Sequence, residues 1–164
     1  LDAIEAREGD GLVLVLDQVQ DPHNVGAITR SALALGADAV ILGKDRSCEV
    51  TPVVTKASAG GTNNLPIVKV TNIRRCLEDL KKRGFWAVGT VAGGGQDISA
   101  IDLNMPIALV IGSEGSGMRQ KIREACDFLA EIPMSGQIGS LNASVAGSIC
   151  LYEAARQRRE RARQ

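Results

Sequence analysis

Aromatic residues are nearly missing from this chain: two Phe, one Trp and one Tyr in 164 residues. Any core must therefore be built from Val, Ile, Leu and Ala. That composition suits buried parallel strands with helices packed on them. The same scarcity argues against a platform of rings on which single-stranded nucleic acid stacks. There is one histidine, and the four cysteines, Cys48, Cys76, Cys126 and Cys150, stand far apart with no CxxC pair. The common zinc patterns are excluded, so no metal is expected. Free, mostly buried thiols in a reducing compartment are expected instead. No apolar run reaches the length of a membrane span and no signal-like start is seen, so the reading is a cytoplasmic protein without a membrane partner. Net charge is lacking too, with nineteen Lys+Arg against nineteen Asp+Glu. The balance gives no pointer to nucleic acid, although a local basic patch can still exist.

Hydrophobic residues are plentiful, at 45%. A chain of this length suggests one domain, which buries roughly 70% of its unfolded surface. After a charged lead-in over residues 1–7 and a break at Gly9-Asp10-Gly11, apolar runs at 12–16, 39–42, 67–70, 85–91, 107–111 and 128–132 read as six strands. Between them, residues 25–35, 52–59, 72–83 and 118–125 read as helices, and a last helix runs from about Asn142 to the end. Strands alternating with helices argue for an α/β fold with a mostly parallel sheet flanked by helices. Ligands on such sheets gather at the carboxyl ends of strands. That rule selects the loops 17–24, 90–95, 112–117 and 132–142, which are also the richest in Gly, Asn and Ser.

The last of these, Ile132-Pro-Met-Ser-Gly-Gln-Ile-Gly-Ser-Leu-Asn-Ala-Ser-Val-Ala-Gly147, runs from a strand end into a helix. Ser140 or Asn142 can cap that helix. The stretch reads either as an ordinary capped helix or as a binding loop at a helix N-terminus. The loop Gly112-Ser-Glu-Gly-Ser-Gly117 has the spacing G-x-x-G-x-G, which is neither a dinucleotide fingerprint nor a P-loop. Glu114 would repel a phosphate there, so the glycines suit close approach to a neutral or cationic ligand. Glu114 reads as a solvated carboxylate or as a group that orients an arginine or a substrate hydroxyl. Histidine is the residue type suited to general-base work near neutral pH, but His23 reads as a loop residue beside a helix start. Asn24 and Arg30, six apart, converge only if Asn24 lies in the loop before the helix. Asn24 also reads as a helix cap. Arg156, Arg158, Arg159, Arg161 and Arg163 form a basic run that reads as a solvated helix end or as a contact for RNA backbone. Arg30, Arg119, Lys121 and Arg123 would extend that surface.

Three motifs stand in order: Leu16-Asp-Gln-Val-Gln-Asp-Pro-His-Asn-Val-Gly-Ala-Ile-Thr-Arg-Ser-Ala32, Ala108-Leu-Val-Ile-Gly-Ser-Glu-Gly-Ser-Gly-Met118, and the 132–146 stretch. Together they resemble the SpoU-type RNA ribose 2′-O-methyltransferases of the SPOUT superfamily, over nearly the whole chain. The likeness is greatest to bacterial enzymes that methylate a guanosine ribose in large-subunit ribosomal RNA. The resemblance implies a SPOUT fold with a deep C-terminal trefoil knot, which periodicity does not predict. It implies a homodimer with the last helix in the interface, where Val145, Ile149 and Tyr152 would be buried, and an active site at the dimer junction. Many members carry an N-terminal RNA-binding domain, which is expected to be missing here, so residues 1–164 would be the catalytic domain. The implied reaction takes a methyl group from S-adenosylmethionine to a ribose hydroxyl. The cofactor-binding residues would be Thr90, Ala92, Gly93, Ile111, Gly112, Gly115, Ile132, Met134, Ser140, Leu141 and Asn142. Arg30 matches the arginine that activates the hydroxyl, with Asn24, Glu114, Ser140 and Asn142 orienting it and the RNA. The rival readings are a tRNA guanosine 2′-O-methyltransferase, a non-catalytic RNA-binding module of the same fold, and a nucleotide-binding protein that uses Gly112 to Gly117.

Overall fold

The computed structural model describes Ile4 and residues 10–164; the expected lead-in at 1–7 lies almost wholly outside the described residues. Seven strands form one parallel sheet: β1 (Leu12–Asp17), β2 (Ala39–Gly43), β3 (Ile67–Val70), β4 (Trp86–Val91), β5 (Gln96–Asp97), β6 (Ile107–Gly112) and β7 (Phe128–Glu131). Their spatial order is β3-β2-β1-β6-β4-β7-β5. β5 is the strand that the apolar runs did not predict. It has two exposed polar residues at the sheet edge, paired with β7 through Gln96 and Asp97, and so leaves no hydrophobic signal.

β1 sits near the middle and is buried at every position. Its side chains alternate between two cores, as the period of a strand requires. Leu12, Leu14 and Leu16 face one cluster, with Val25, Ile28 and Ala32 of α1 (Pro22–Ala34) and Cys150, Leu151 and Ala154 of α6 (Ala143–Arg161). Val13 and Val15 face the other, with Ile73, Cys76, Leu77 and Leu80 of α4 (Ile73–Lys82) and Ile122 of α5 (Gln120–Ala125). Burying one such Val, Ile or Leu contributes about 1.5–3 kcal/mol; both layers are mainly aliphatic, with Phe85 buried in the second and Phe128 packed against the first.

Several boundaries differ from the periodicity reading, each for a local reason. α1 begins at Pro22, three residues early, because Asp21 caps it: the His23 and Asn24 N–H groups donate to Asp21 Oδ1 at 2.8 and 3.4 Å. Proline at the first helical position needs no partner for a missing N–H. Asn24 is therefore in the first turn and is not the cap. The expected 52–59 helix splits into α2 (Pro52–Ala57) and α3 (Gly61–Asn64), with Ala59 at φ 49° and Gly60 at φ 82° between them. α5 starts at Gln120 and not at Met118, because Arg119 is held by Asp17. All four cysteines are free, and Cys48, Cys76 and Cys150 are buried. No helix among the described residues is long and apolar enough to cross a membrane.

The C-terminal arginines are largely consumed inside the fold, which corrects the picture of an open basic run. Arg156 pairs with Glu153 and Glu160. Arg158 donates to the carbonyls of Leu103, Asp10, Gly11 and Met105, and Arg161 reaches Asp10 and the Asn104 carbonyl. Arg159 lies over the Tyr152 ring, 5.5 Å from its centre.

Candidate active site

The carboxyl ends of β4, β6 and β7 and the start of α6 enclose a cavity of about 310 Å³. Each wall has a local cause. The wall after β4 is pinned when Gly95 N–H donates to Glu131 Oε2 at 3.1 Å, and Thr90 Oγ1 donates to the Val110 carbonyl at 3.2 Å. The wall after β6 is a tight loop in which Ser113 and Gly117 exchange two backbone hydrogen bonds, at 2.9 and 3.2 Å. Gly112 is required at its root: a β-carbon there would stand 2.2 Å from Met118 N and 2.3 Å from Gly117 C. The loop is anchored from behind. The buried carboxylate of Asp17, at the end of β1, accepts the Arg119 N–H and Nε, each at 2.8 Å, and pairs with its terminal nitrogen at 2.6 Å. Arg119 is therefore a brace and not part of an open basic surface.

Thr90, Ala92, Gly93, Ile111, Gly112, Gly115, Ile132, Met134, Ser140 and Leu141 all border this cavity. Asn142, expected among them, does not. Its side-chain oxygen caps α6, accepting the N–H groups of Ser144 and Val145 at 2.9 and 3.2 Å, and its amide donates to Asn24 Oδ1 at 3.0 Å. Ser140, the other candidate cap, is left on the cavity wall. Glu114 is exposed, as a solvated carboxylate would be, but it is also engaged: Ala143 N–H donates to its Oε1 at 3.1 Å. Asn142 and Glu114 together satisfy the first three N–H groups of α6. The helix start is thus capped from within the protein, and its donors are not free for a ligand.

Asn24, Asn142 and Glu114 meet at this junction. Arg30 does not join them. It is exposed on α1, borders neither this cavity nor its neighbour, and makes no hydrogen bond or ion pair among the described residues. His23 is exposed in the first turn of α1 and also borders neither. The residue that sequence reasoning missed is Arg123, read as surface. It is the one cation on the cavity lining, and its place in the helix that follows the glycine loop could have signalled this.

A second cavity of about 340 Å³ adjoins the first across Ser113, Glu114, Ser116 and Ala143. The 17–24 loop, the fourth one selected by the strand-end rule, lines it through Gln18, Val19, Gln20, Asp21 and Asn24.

The model of the SpoU rRNA Methylase family matches residues 11–152. The chain belongs to the SpoU family. The 23S rRNA (guanosine-2'-O-)-methyltransferase RlmB of Pseudomonas putida is 51% identical to it over 155 residues, which is 94% of this chain and 62% of that protein. The enzyme of the same name from Coxiella burnetii is 51% identical over 158 residues, 96% of this chain and 63% of its own. The chain thus spans less than two thirds of the curated relatives it matches. Among solved structures, the SpoU methyltransferase AviRb from Streptomyces viridochromogenes, in complex with the cofactor AdoMet, has a TM-score of 0.88 at 35% identity, covering 98% of this chain and 65% of that one. The A. aeolicus TrmH/SpoU tRNA modifying enzyme has a TM-score of 0.85 at 33% identity, covering 97% and 80%. Each of the three motifs quoted from the sequence contributes residues to the lining of the two cavities.

Proposed function

We propose that this chain is the catalytic domain of a cytoplasmic, S-adenosylmethionine-dependent RNA ribose 2′-O-methyltransferase that acts on a guanosine of large-subunit ribosomal RNA. The observation that carries the reading is the first cavity, bordered by ten of the eleven residues expected of the cofactor site, all but Asn142. The lining suits that group. Ile111, Ile132, Met134 and Leu141 offer apolar surface for an adenine. At Gly93 and Gly115 a β-carbon would meet nothing within 4 Å, so bare backbone faces open space. Glu114 suits a cationic sulfonium and Arg123 a carboxylate. When bound, S-adenosylmethionine supplies a methyl group already attached to its leaving group.

The protein's work is then mainly to align the acceptor. Asn24, Asn142 and Glu114 hold the start of α6 and the shared wall in one arrangement, so the hydroxyl can be met from the second cavity. A guanidinium offers five N–H donors and no acceptor, so Arg30 stabilises alkoxide charge and leaves the proton to solvent or a substrate phosphate. That it is exposed and lines neither cavity of its own chain supports a homodimer, in which the partner's Arg30 completes the site. Val145, Ile149 and Tyr152, 46%, 38% and 52% exposed along one face of α6, suit burial in that dimer. The higher identity to ribosomal RNA enzymes favours that substrate over tRNA.

The test is incubation with labelled S-adenosylmethionine and ribosomal RNA, with calorimetry of cofactor binding. Arg30→Ala is expected to lower transfer by about 10²–10³-fold and leave cofactor affinity nearly intact. Neither transfer nor cofactor binding by the parent chain would sink the reading.

A further inference from the structure

The second cavity lacks the Ile, Met and Leu side chains that line the first, and two features set it apart. Arg46, from the loop after β2, is its one lining cation, and it makes no hydrogen bond or ion pair among the described residues. Two carboxylates, Asp21 and Glu114, share the lining, and neither forms an ion pair with it among the described residues. Asp21 Oδ1 caps α1 and Glu114 Oε1 holds Ala143 N–H. Second, Gln18 at φ 60° and Arg46 at φ 50° both place non-glycine residues in the left-handed backbone region. Side chains rarely adopt that conformation unless the surrounding fold imposes it, and such positions gather at ligand sites. Both residues border this one cavity from different loops.

We propose that the second cavity seats the target nucleotide and that Arg46 binds its phosphodiester. The inference rests on the methyl-transfer reading above. A guanidinium is a planar fork that meets two phosphate oxygens at once. The amides of Gln18 and Gln20 can each donate and accept, which suits a ribose or a base edge beside it. The shared wall of Ser113, Glu114, Ser116 and Ala143 sets a nucleotide seated here directly against the first cavity. The β2–α2 loop thereby acquires a function that none of the three sequence motifs contains.

The test compares the 164-residue chain with Arg46→Gln and Arg46→Lys. It measures binding of a 23S ribosomal RNA transcript by anisotropy across a salt series, cofactor binding by calorimetry, and methyl transfer. Arg46→Gln should raise the RNA Kd and KM roughly tenfold, with the log–log salt slope shallower by about one contact. The cofactor Kd should stay put, and Arg46→Lys should recover the slope with only part of the affinity. An unchanged RNA Kd and slope overturns the proposal. So does a parallel loss of cofactor affinity, which would assign Arg46 to the fold of its loop. If the parent chain transfers no methyl group yet Arg46→Gln weakens salt-dependent RNA binding, the methyl-transfer reading fails while the phosphate contact stands. If the parent chain binds no RNA, the contact fails as well.

Discussion

Asp17 and Arg119, 102 residues apart, meet behind the glycine loop, where the carboxylate accepts the arginine's own N–H at 2.8 Å and its side chain at 2.8 and 2.6 Å. Asp17 is fully buried, so removing its partner leaves an unpaired charge in the core. Arg119→Ala is expected to destabilise the chain by about 3 kcal/mol, read as a lower midpoint in urea. Asp17→Asn removes the charge with its partner still in place and should cost less. If Arg119→Ala leaves the midpoint unchanged, the pair is not a brace.

Asn142 does two jobs with two ends of one amide. Asn142→Asp keeps the oxygen that caps α6 and loses the N–H that reaches Asn24. Thermal stability should stay near that of the parent, while methyl transfer falls by about 10²-fold through misplacement of the site. Asn142→Ala should lose both, with about 1 kcal/mol of stability going with the cap. Equal melting temperatures for the Asp and Ala variants would refute the division.

The exposed face of α6 predicts self-association. Ile149→Asp puts a charge in the middle of the Val145, Ile149, Tyr152 stripe, away from both cavities. Sedimentation should show the parent as a dimer and the variant as a monomer. Cofactor affinity should persist, whereas transfer should collapse because the partner's Arg30 is lost. A parent chain that sediments as a monomer would remove this role from the face.

Burial pushes the thiols of Cys126 and Cys150 up to about 12 and that of Cys76 to about 11. The unfolded thiols ionise near the ordinary value of 9.0, so above it the unfolded chain binds fewer protons than the folded one. Stability is full below that pH and is lost as pH rises toward 11–12. Denaturant midpoints taken through this range should fall, and Cys150→Ala should make the fall shallower. A flat profile would mean that these thiols are open to water.

The α/β class, most strands and the loops of the first cavity were legible because they rest on local signals, aliphatic runs and glycines or small polar residues at strand ends; the individual cofactor-site residues came from the family resemblance. β5 was not, since two polar residues at an edge carry no periodicity. The start of α1 slipped because Asp21-Pro22 is a cap signal set inside what reads as a polar loop. Pairings across long separations were the harder class. Nothing near Asp17 announces Arg119, nothing near Glu114 announces Ala143, and the C-terminal arginines look solvated until the carbonyls of Asp10, Gly11 and Leu103 are folded beneath them.

The sheet order has a consequence for synthesis on the ribosome. Leu12 of β1 pairs with Ile107 of β6, about 95 residues later, and at about 5–20 residues per second that partner arrives only after roughly 5–20 s. Through that interval one edge of a strand that is aliphatic from Leu12 to Leu16 stays open, with only β2 on its other side. The nascent chain is most exposed to aggregation then, and a chaperone that holds residues 12–17 would act within that window.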